Sequence, residues 1–245
     1  MTDVLPPAEL RALWDFADPE GSEAVLRAAA DGASTMPGRQ AELLTQVARA
    51  MGLQGHLEDA HRVLDALEPV THSVAVRVLL ERGRLYRTEG RLAEAASTFE
   101  AAAVAAARAG LEVLQVDALH MLAVVDGDRG ELWTRRALDV VAASADPETR
   151  RWAVALQNNR AWDLMSVGRT TQALAHFTAA HNAAVEVGTA EQERLTRWAV
   201  ARCLRELGRV TEALEIQRVL AGEMPDSPYV AEEIAALEGL IGRTD

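Results

Sequence analysis

Apolar and small residues recur along this chain at offsets of three, four and seven, the spacing of helix faces rather than of strands. One unit repeats. A small residue is followed after seven positions by Gly, and after five more by Ala: Ala48–Gly55–Ala60, Gly83–Gly90–Ala95, Ala161–Gly168–Ala173 and Ala201–Gly208–Ala213. Three residues after the small position stand Met51, Tyr86, Leu164 and Leu204. Four residues after the second Ala stand Leu64, Phe99, Phe177 and Gln217, and three further on Leu67, Ala102, Ala180 and Leu220. Each set falls on one face of a helix. Gln217 is the polar departure. Two helical turns after the small position, Gly ends the first helix in the left-handed conformation that a C-terminus often takes. The chain then turns, and the second helix places its Ala where it crosses close to the first. Self-similarity on this scale predicts a stacked array of helix pairs.

The pattern predicts helices over 7–16 and 19–31, 37–53 with 57–67, 73–88 with 92–109, 112–126 with 131–144, 147–167 with 170–187, and 190–207 with 210–222. Asp18-Pro19-Glu20 and Asp146-Pro147-Glu148 carry an N-cap followed by proline at the first helical position. Pro225-Asp226-Ser227-Pro228 breaks the chain before a last helix, 228–241, expected to cap the stack. Gly168 to Gly208 is a step of 40 residues, and Gly90 to Gly168 one of 78, so a degenerate repeat sits between the latter two. Its turn is expected at Asp126-Gly127-Asp128-Arg129-Gly130. Leu13-Trp14-Asp15-Phe16 is unlike the repeats, and its aromatics are expected to pack on the first of them.

Gly83, Tyr86, Gly90, Ala95, Phe99 and Ala102 in one repeat, and Ala161, Leu164, Gly168, Ala173, Phe177 and Ala180 in another, resemble the signature of the tetratricopeptide repeat. The longer step resembles bacterial members with a repeat of roughly 40 residues. The resemblance implies an all-α fold: a right-handed superhelical solenoid of antiparallel helix pairs, with about five to six repeats and a C-terminal capping helix. It divides the chain into an N-terminal helical cap or degenerate repeat (1–35), an array (36–225), and a capping helix with tail (226–245). Within the array the repeats run 36–69, 72–110, 111–145 (degenerate), 146–188 and 189–225.

Composition narrows the function. Aromatic residues make up only 4% of the chain, and the apolar half is rich in helix-favouring Ala and Leu. A net charge of −12 argues against a nucleic-acid partner, which needs a basic stripe. All 25 cationic side chains are arginine, so lysine chemistry is excluded and every cation has a planar fork suited to carboxylates. Cys203 is the single cysteine. It excludes an internal disulfide and a cysteine metal cluster, and reads as a small buried hydrophobe. Met1–Leu10 has no signal-peptide pattern, and no stretch is long enough to span a membrane, so cytoplasmic localisation is the expectation.

By resemblance, the first helix of each pair lines the concave surface. The residue after each small position then projects into the groove: Arg49, Arg84, Trp162 and Arg202. The preceding turn adds Gln46, Glu81, Asn158, Asn159 and Trp198, and the degenerate repeat adds Asp117 and His120. Amides can clamp a peptide backbone, arginine can hold a carboxylate with two parallel bonds, and indoles supply rigid apolar contact. The packing alternative pairs Arg84 with Glu81 and Arg202 with Glu206, and uses both tryptophans to fill space between repeats.

Asp117 and His120 could share a helix face, but no third group completes a catalytic or metal site. His56 with His61, and His176 with His181, are five apart and read as surface or turn residues. No phosphate loop is present. The sequence therefore points to a non-enzymatic interaction module without cofactor, catalytic or metal site. Its partner would be a protein or peptide with an acidic or C-terminal carboxylate group. A regulatory sensor of a small ligand or signalling peptide, and homo-oligomerisation through the end helices, are the alternatives.

Overall fold

Helices begin where a side chain can satisfy the free amides of the first turn and end where glycine lets the backbone reverse. The computed structural model describes residues 5–242. The first four positions of the expected 1–35 segment and the last three of 226–245 lie outside them. Among the described residues the elements are α1 (Pro7–Ala12), α2 (Pro19–Gly32), α3 (Pro37–Leu53), α4 (Leu57–Asp65), α5 (His72–Thr88), α6 (Leu92–Ala109), α7 (Glu112–Val125), a 3-10 turn (Gly127–Arg129), α8 (Gly130–Ala143), α9 (Pro147–Ser166), α10 (Thr170–Val187), α11 (Ala190–Glu206), α12 (Val210–Glu223) and α13 (Pro228–Ile241). All are helical.

Two kinds of start occur. Three helices that open a pair, α5, α9 and α11, carry side-chain caps, whereas α3 and α7 do not. Thr71 accepts from the Val74 amide at 3.1 Å, Asp146 from the Glu148 and Thr149 amides, and Thr189 forms a reciprocal capping box with Gln192. The second helices α4, α6, α10 and α12 have no side-chain cap and follow directly from a glycine turn. Gly55, Gly90, Gly168 and Gly208 all take positive φ, between 74° and 82°. At each, the next amide bonds back to the carbonyl five residues earlier: His56 to Met51, Arg91 to Tyr86, Arg169 to Leu164 and Arg209 to Leu204, at 2.9–3.0 Å. The acceptors are the residues three after each small position, so one residue both packs and closes the turn.

The chain divides within α8 into two compact units, Met1–Val140 and Val141–Asp245. From α2 to α7 in the first unit and from α9 to α13 in the second, each helix packs on its chain neighbour, as short connections dictate. In the first unit α3, α5 and α7 also touch in succession, and in the second α9, α11 and α13 do. These helices form one layer of their unit, the one that the repeat resemblance makes the inner layer. Every small residue of the repeat is buried at the crossings. Ala48, Ala60, Ala95, Ala161, Ala173, Ala201 and Ala213 expose none of their surface, and a Cβ placed on Gly83 would lie 2.6 Å from the Phe99 ring. Phe99 and Phe177 are fully enclosed beneath them. Gln217 occupies the corresponding place in α12, also fully buried, and among the described residues neither of its amide atoms has a partner.

Helix α1 stops at Ala12, short of the expected 16. Leu10, Leu13 and Trp14 turn in to pack on the core of the first unit, with Leu26, Leu43, Val47 and Met51. The following loop is pinned by Ser22, whose hydroxyl donates to the Asp15 carbonyl and accepts its amide, both at 2.8 Å.

Candidate functional site

On the first unit's inner layer, the polar residues of successive helices meet rather than stand free. Arg77 of α5 donates to Glu42 of α3 at 3.2 Å. Gln46 of α3 donates to Glu81 Oε1 of α5 at 3.4 Å, and Arg84 Nη1 donates to the same oxygen at 2.8 Å. Arg84 Nη2 then reaches α7 and donates to both Asp117 oxygens, at 2.6 and 2.7 Å. Glu81 is 2% exposed, and its Oε2 is buried without a donor. Burial works against the Arg84 charge, but Asp117 and Glu81 outweigh it and push its pKa up. Burial likewise works against the Asp117 charge, and Arg84 and Arg49 outweigh it and hold its carboxyl below the ordinary range. Burial lowers His120, beyond what neighbouring Asp117 restores.

Of the site residues expected in this unit, Gln46, Glu81, Arg84 and Asp117 thus fall into one network, with Arg84 at its centre. Two carboxylates hold Arg84, as the packing alternative foresaw for Glu81 but not for Asp117. Arg49 stands apart. No carboxylate holds it among the described residues. Its guanidinium lies 5.6 Å from the Trp14 ring centre and 5.3 Å from that of Phe16. Those rings stack at 4.8 Å, and Trp14 Nε1 donates to Gln46 at 3.3 Å. Trp14 packs on the first repeat as expected, whereas Phe16 is 61% exposed.

The second unit's inner layer is aromatic and amide-rich. Trp162 of α9 meets Phe177 edge-on at 4.9 Å and Trp198 of α11 at 6.3 Å. Both indoles remain half-buried, Asn158 is half-buried beside Trp162's stripe, and Asn159 is exposed. The Arg202 guanidinium lies 5.8 Å from the Trp198 ring centre. Its partner is Glu233 of α13, through Nη1 at 3.0 Å, rather than Glu206. Arg205 also reaches Glu233, at 2.9 Å, and approaches Glu206 at 3.4 Å. Glu233 comes from the helix expected only to cap the stack, and its exposure of 5% could not be read from α11's own pattern.

Other expected features are placed as follows. Cys203 is buried with its thiol near the Thr170 carbonyl, and burial, with Glu206 adding, raises its pKa. His61 pairs with Glu89 at 2.9 Å, His176 with Gln157 at 2.6 Å, and His181 with Thr196 at 3.3 Å, so these histidines bridge helices instead of lying free on the surface. Among the described residues no group of three His, Cys, Asp or Glu side chains is placed to hold a metal, and no helix is long and apolar enough to cross a membrane.

Comparison with known families decides what these inner layers belong to. The tetratricopeptide-repeat profile matches residues 52–110 and 158–228, more than half of the chain. The chain belongs to the tetratricopeptide-repeat family. The matched segments contain all four glycine turns, those of Gly55 and Gly90 in the first unit and those of Gly168 and Gly208 in the second. Among solved structures, the tetratricopeptide-repeat chain is similar to BtubC (BKLC) from P. vanneervenii, at 16% identity and a TM-score of 0.62, covering 89% of this chain and 93% of that one. It also matches an assembly chaperone of RpL4 (Acl4), at 18% identity, a TM-score of 0.48 and 98% of both chains. The likeness to BtubC is one of fold. No curated protein matches the sequence. Tetratricopeptide repeats build protein-interaction scaffolds, and that coarse role comes with the family.

Proposed function

We propose that the chain is a protein-interaction module that takes an extended segment of a partner protein on its inner helices. The half-buried indole pair Trp162–Trp198, flanked by Asn158 and Asn159, is the observation that carries this reading. Indoles on a concave helical layer offer large, rigid apolar contact of the kind that dominates binding hot spots. The neighbouring amides present both donor and acceptor to a peptide backbone.

Arg202 gives the reading its charge. Its Nε is buried without an acceptor, while Nη1 holds Glu233. Arg205 grips the same Glu233 independently. Arg202 is therefore free to turn toward a partner carboxylate without leaving Glu233 unneutralised, and a buried carboxylate left alone would be costly. Arg84 has no such spare partner for Glu81 and Asp117, and its role is to tie α5 to α7. The partner residue favoured at Arg202 is an acidic side chain or a chain terminus, with an apolar neighbour against Trp198.

The test is affinity capture from the native cell, with wild type against Arg202→Gln and Trp198→Ala. Helicity by circular dichroism reports whether each variant folds. Loss of the same captured protein from both variants supports the reading. Capture unchanged by either substitution, in folded protein, refutes it.

A further inference from the structure

Arg49 is the cation of the first unit's inner layer that its neighbours serve least. Arg77 is held by Glu42, and Arg84 by Glu81 and Asp117. Among the described residues no carboxylate bonds Arg49, whose guanidinium stands 5.6 and 5.3 Å from the ring centres of Trp14 and Phe16. Burial and the nearby Arg84 both work against its charge, and the more distant Glu81 and Asp117 do not make up the difference, so its pKa is lowered. A half-buried guanidinium in that position gains by meeting an anion that brings its own partner atoms.

What stands beside it sets the rest of the ligand. Trp14 is fixed, by its packing on the first unit's core and by its bond to Gln46. Phe16 stacks on it with an interplanar angle of 6° and leaves 61% of its surface to solvent. The Ser22 pins hold the loop that carries both rings. The result is a rigid apolar platform whose outer ring is open, next to a cation without a carboxylate. Trp14, Asp15 and Phe16 lie outside the repeat pattern, so this arrangement owes nothing to the packing that every repeat shares.

We infer that Arg49 with the Trp14–Phe16 ring pair forms a binding subsite for a residue that presents a carboxylate beside an aromatic side chain, such as a C-terminal Phe or Trp of a partner protein. The inference rests on the partner-binding reading above and names a second point of contact, in the other unit. The carboxylate bonds the Arg49 fork, and the aromatic group stacks on the open face of Phe16.

The test uses small probes and needs no partner. N-acetyl-L-phenylalanine and its primary amide, which lacks the carboxylate, are titrated at millimolar concentration into the full-length ¹⁵N-labelled chain. The Trp14 indole N–H signal, assigned by Trp14→Phe, is followed. A saturable shift with the acid, at least about tenfold weaker with the amide and in Arg49→Gln, is expected from the loss of a charge-assisted pair. Phe16→Ser, at an exposed ring, keeps the fold and also weakens binding. No shift, equal shifts with both probes, or a shift that survives Arg49→Gln overturns the subsite. Because the readout is in unit 1 and independent of capture through Trp198 and Arg202, failure here and failure of the partner reading are told apart.

Discussion

Gly83→Ala isolates the feature on which the repeat depends, the close crossing at the small position. A Cβ at Gly83 would lie 2.6, 2.8 and 2.9 Å from Cε1, Cδ1 and Cζ of Phe99. Phe99 is fully enclosed, so its ring cannot swing into solvent. Alanine gains about 1 kcal/mol over glycine in a helix interior. Overpacking a well-filled core costs about 1–3 kcal/mol, because α5 or the ring must move by the better part of an ångström. The sum is neutral at best and a loss of up to about 2 kcal/mol. Gly239 of α13 is the control, since nothing lies within 4 Å of a Cβ there. Gly239→Ala keeps the helical gain, up to about 1 kcal/mol, without the clash. Guanidinium unfolding followed by circular dichroism reads both. Gly83 lies in Met1–Val140 and Gly239 in Val141–Asp245, so each is read as a shift from wild type. If Gly83→Ala stabilises its unit as much as Gly239→Ala does its own, the crossing is not tight and the argument from the small position fails.

Gln217→Met replaces two unpaired buried amide atoms with an apolar chain of similar length, and a gain of about 1–2 kcal/mol in the same denaturant assay is expected; a loss would show that the amide has a partner. Arg84→Met leaves Glu81 and Asp117 buried without their cation, and the first unit should lose about 3–5 kcal/mol, which Asp117→Asn in the same chain partly restores. Acid should weaken the first unit in two stages. The His120 pKa is depressed in the fold by burial and by facing Arg84 and Arg87, with Asp117 opposing, so its contribution is present above the ordinary value of 6.5 and is lost as pH falls below it. Asp117, held low by Arg84 and Arg49 against burial, contributes above 3.8 and adds its loss below that. Thermal melts of wild type and His120→Asn between pH 8 and 5 should converge as pH falls, within the range set by these two values; parallel curves would contradict the His120 assignment.

The fold was legible because the signature residues are packing residues. The step of seven from Ala161 to Gly168 is at once a crossing, two helical turns and a left-handed stop, and each requirement narrows the residue choice independently. Helix ends at Thr71, Asp146 and Thr189 were set by local capping chemistry, which leaves its mark within three residues. The N-terminal helix was overextended, because Leu13 and Trp14 continue an apolar pattern that the chain uses for docking instead. The site was legible as a set of positions but not as a set of partners. Helical offsets place Arg84, Asp117 and Arg202 on inner layers, yet Arg84 to Asp117 and Arg202 to Glu233 are pairings across 33 and 31 residues, fixed by how successive helices lie together. Nothing in α11 alone announces Glu233. The surroundings of Arg49 come from Trp14 and Phe16, in a segment outside the repeats, which the repeat register could not supply.

The account's central claim is that the inner layer, not the outer helices, meets the partner. Site-specific photo-crosslinking tests it most directly. A benzophenone side chain is placed at Asn159, exposed on α9, and separately at Ala175, exposed on the second helix α10. Each variant is irradiated in the native cell, and the adducts are identified by mass spectrometry. One protein crosslinked from Asn159, absent from Ala175, and lost when Trp198→Ala is added is the predicted result. The same protein crosslinked from Ala175 but not from Asn159 would contradict the account.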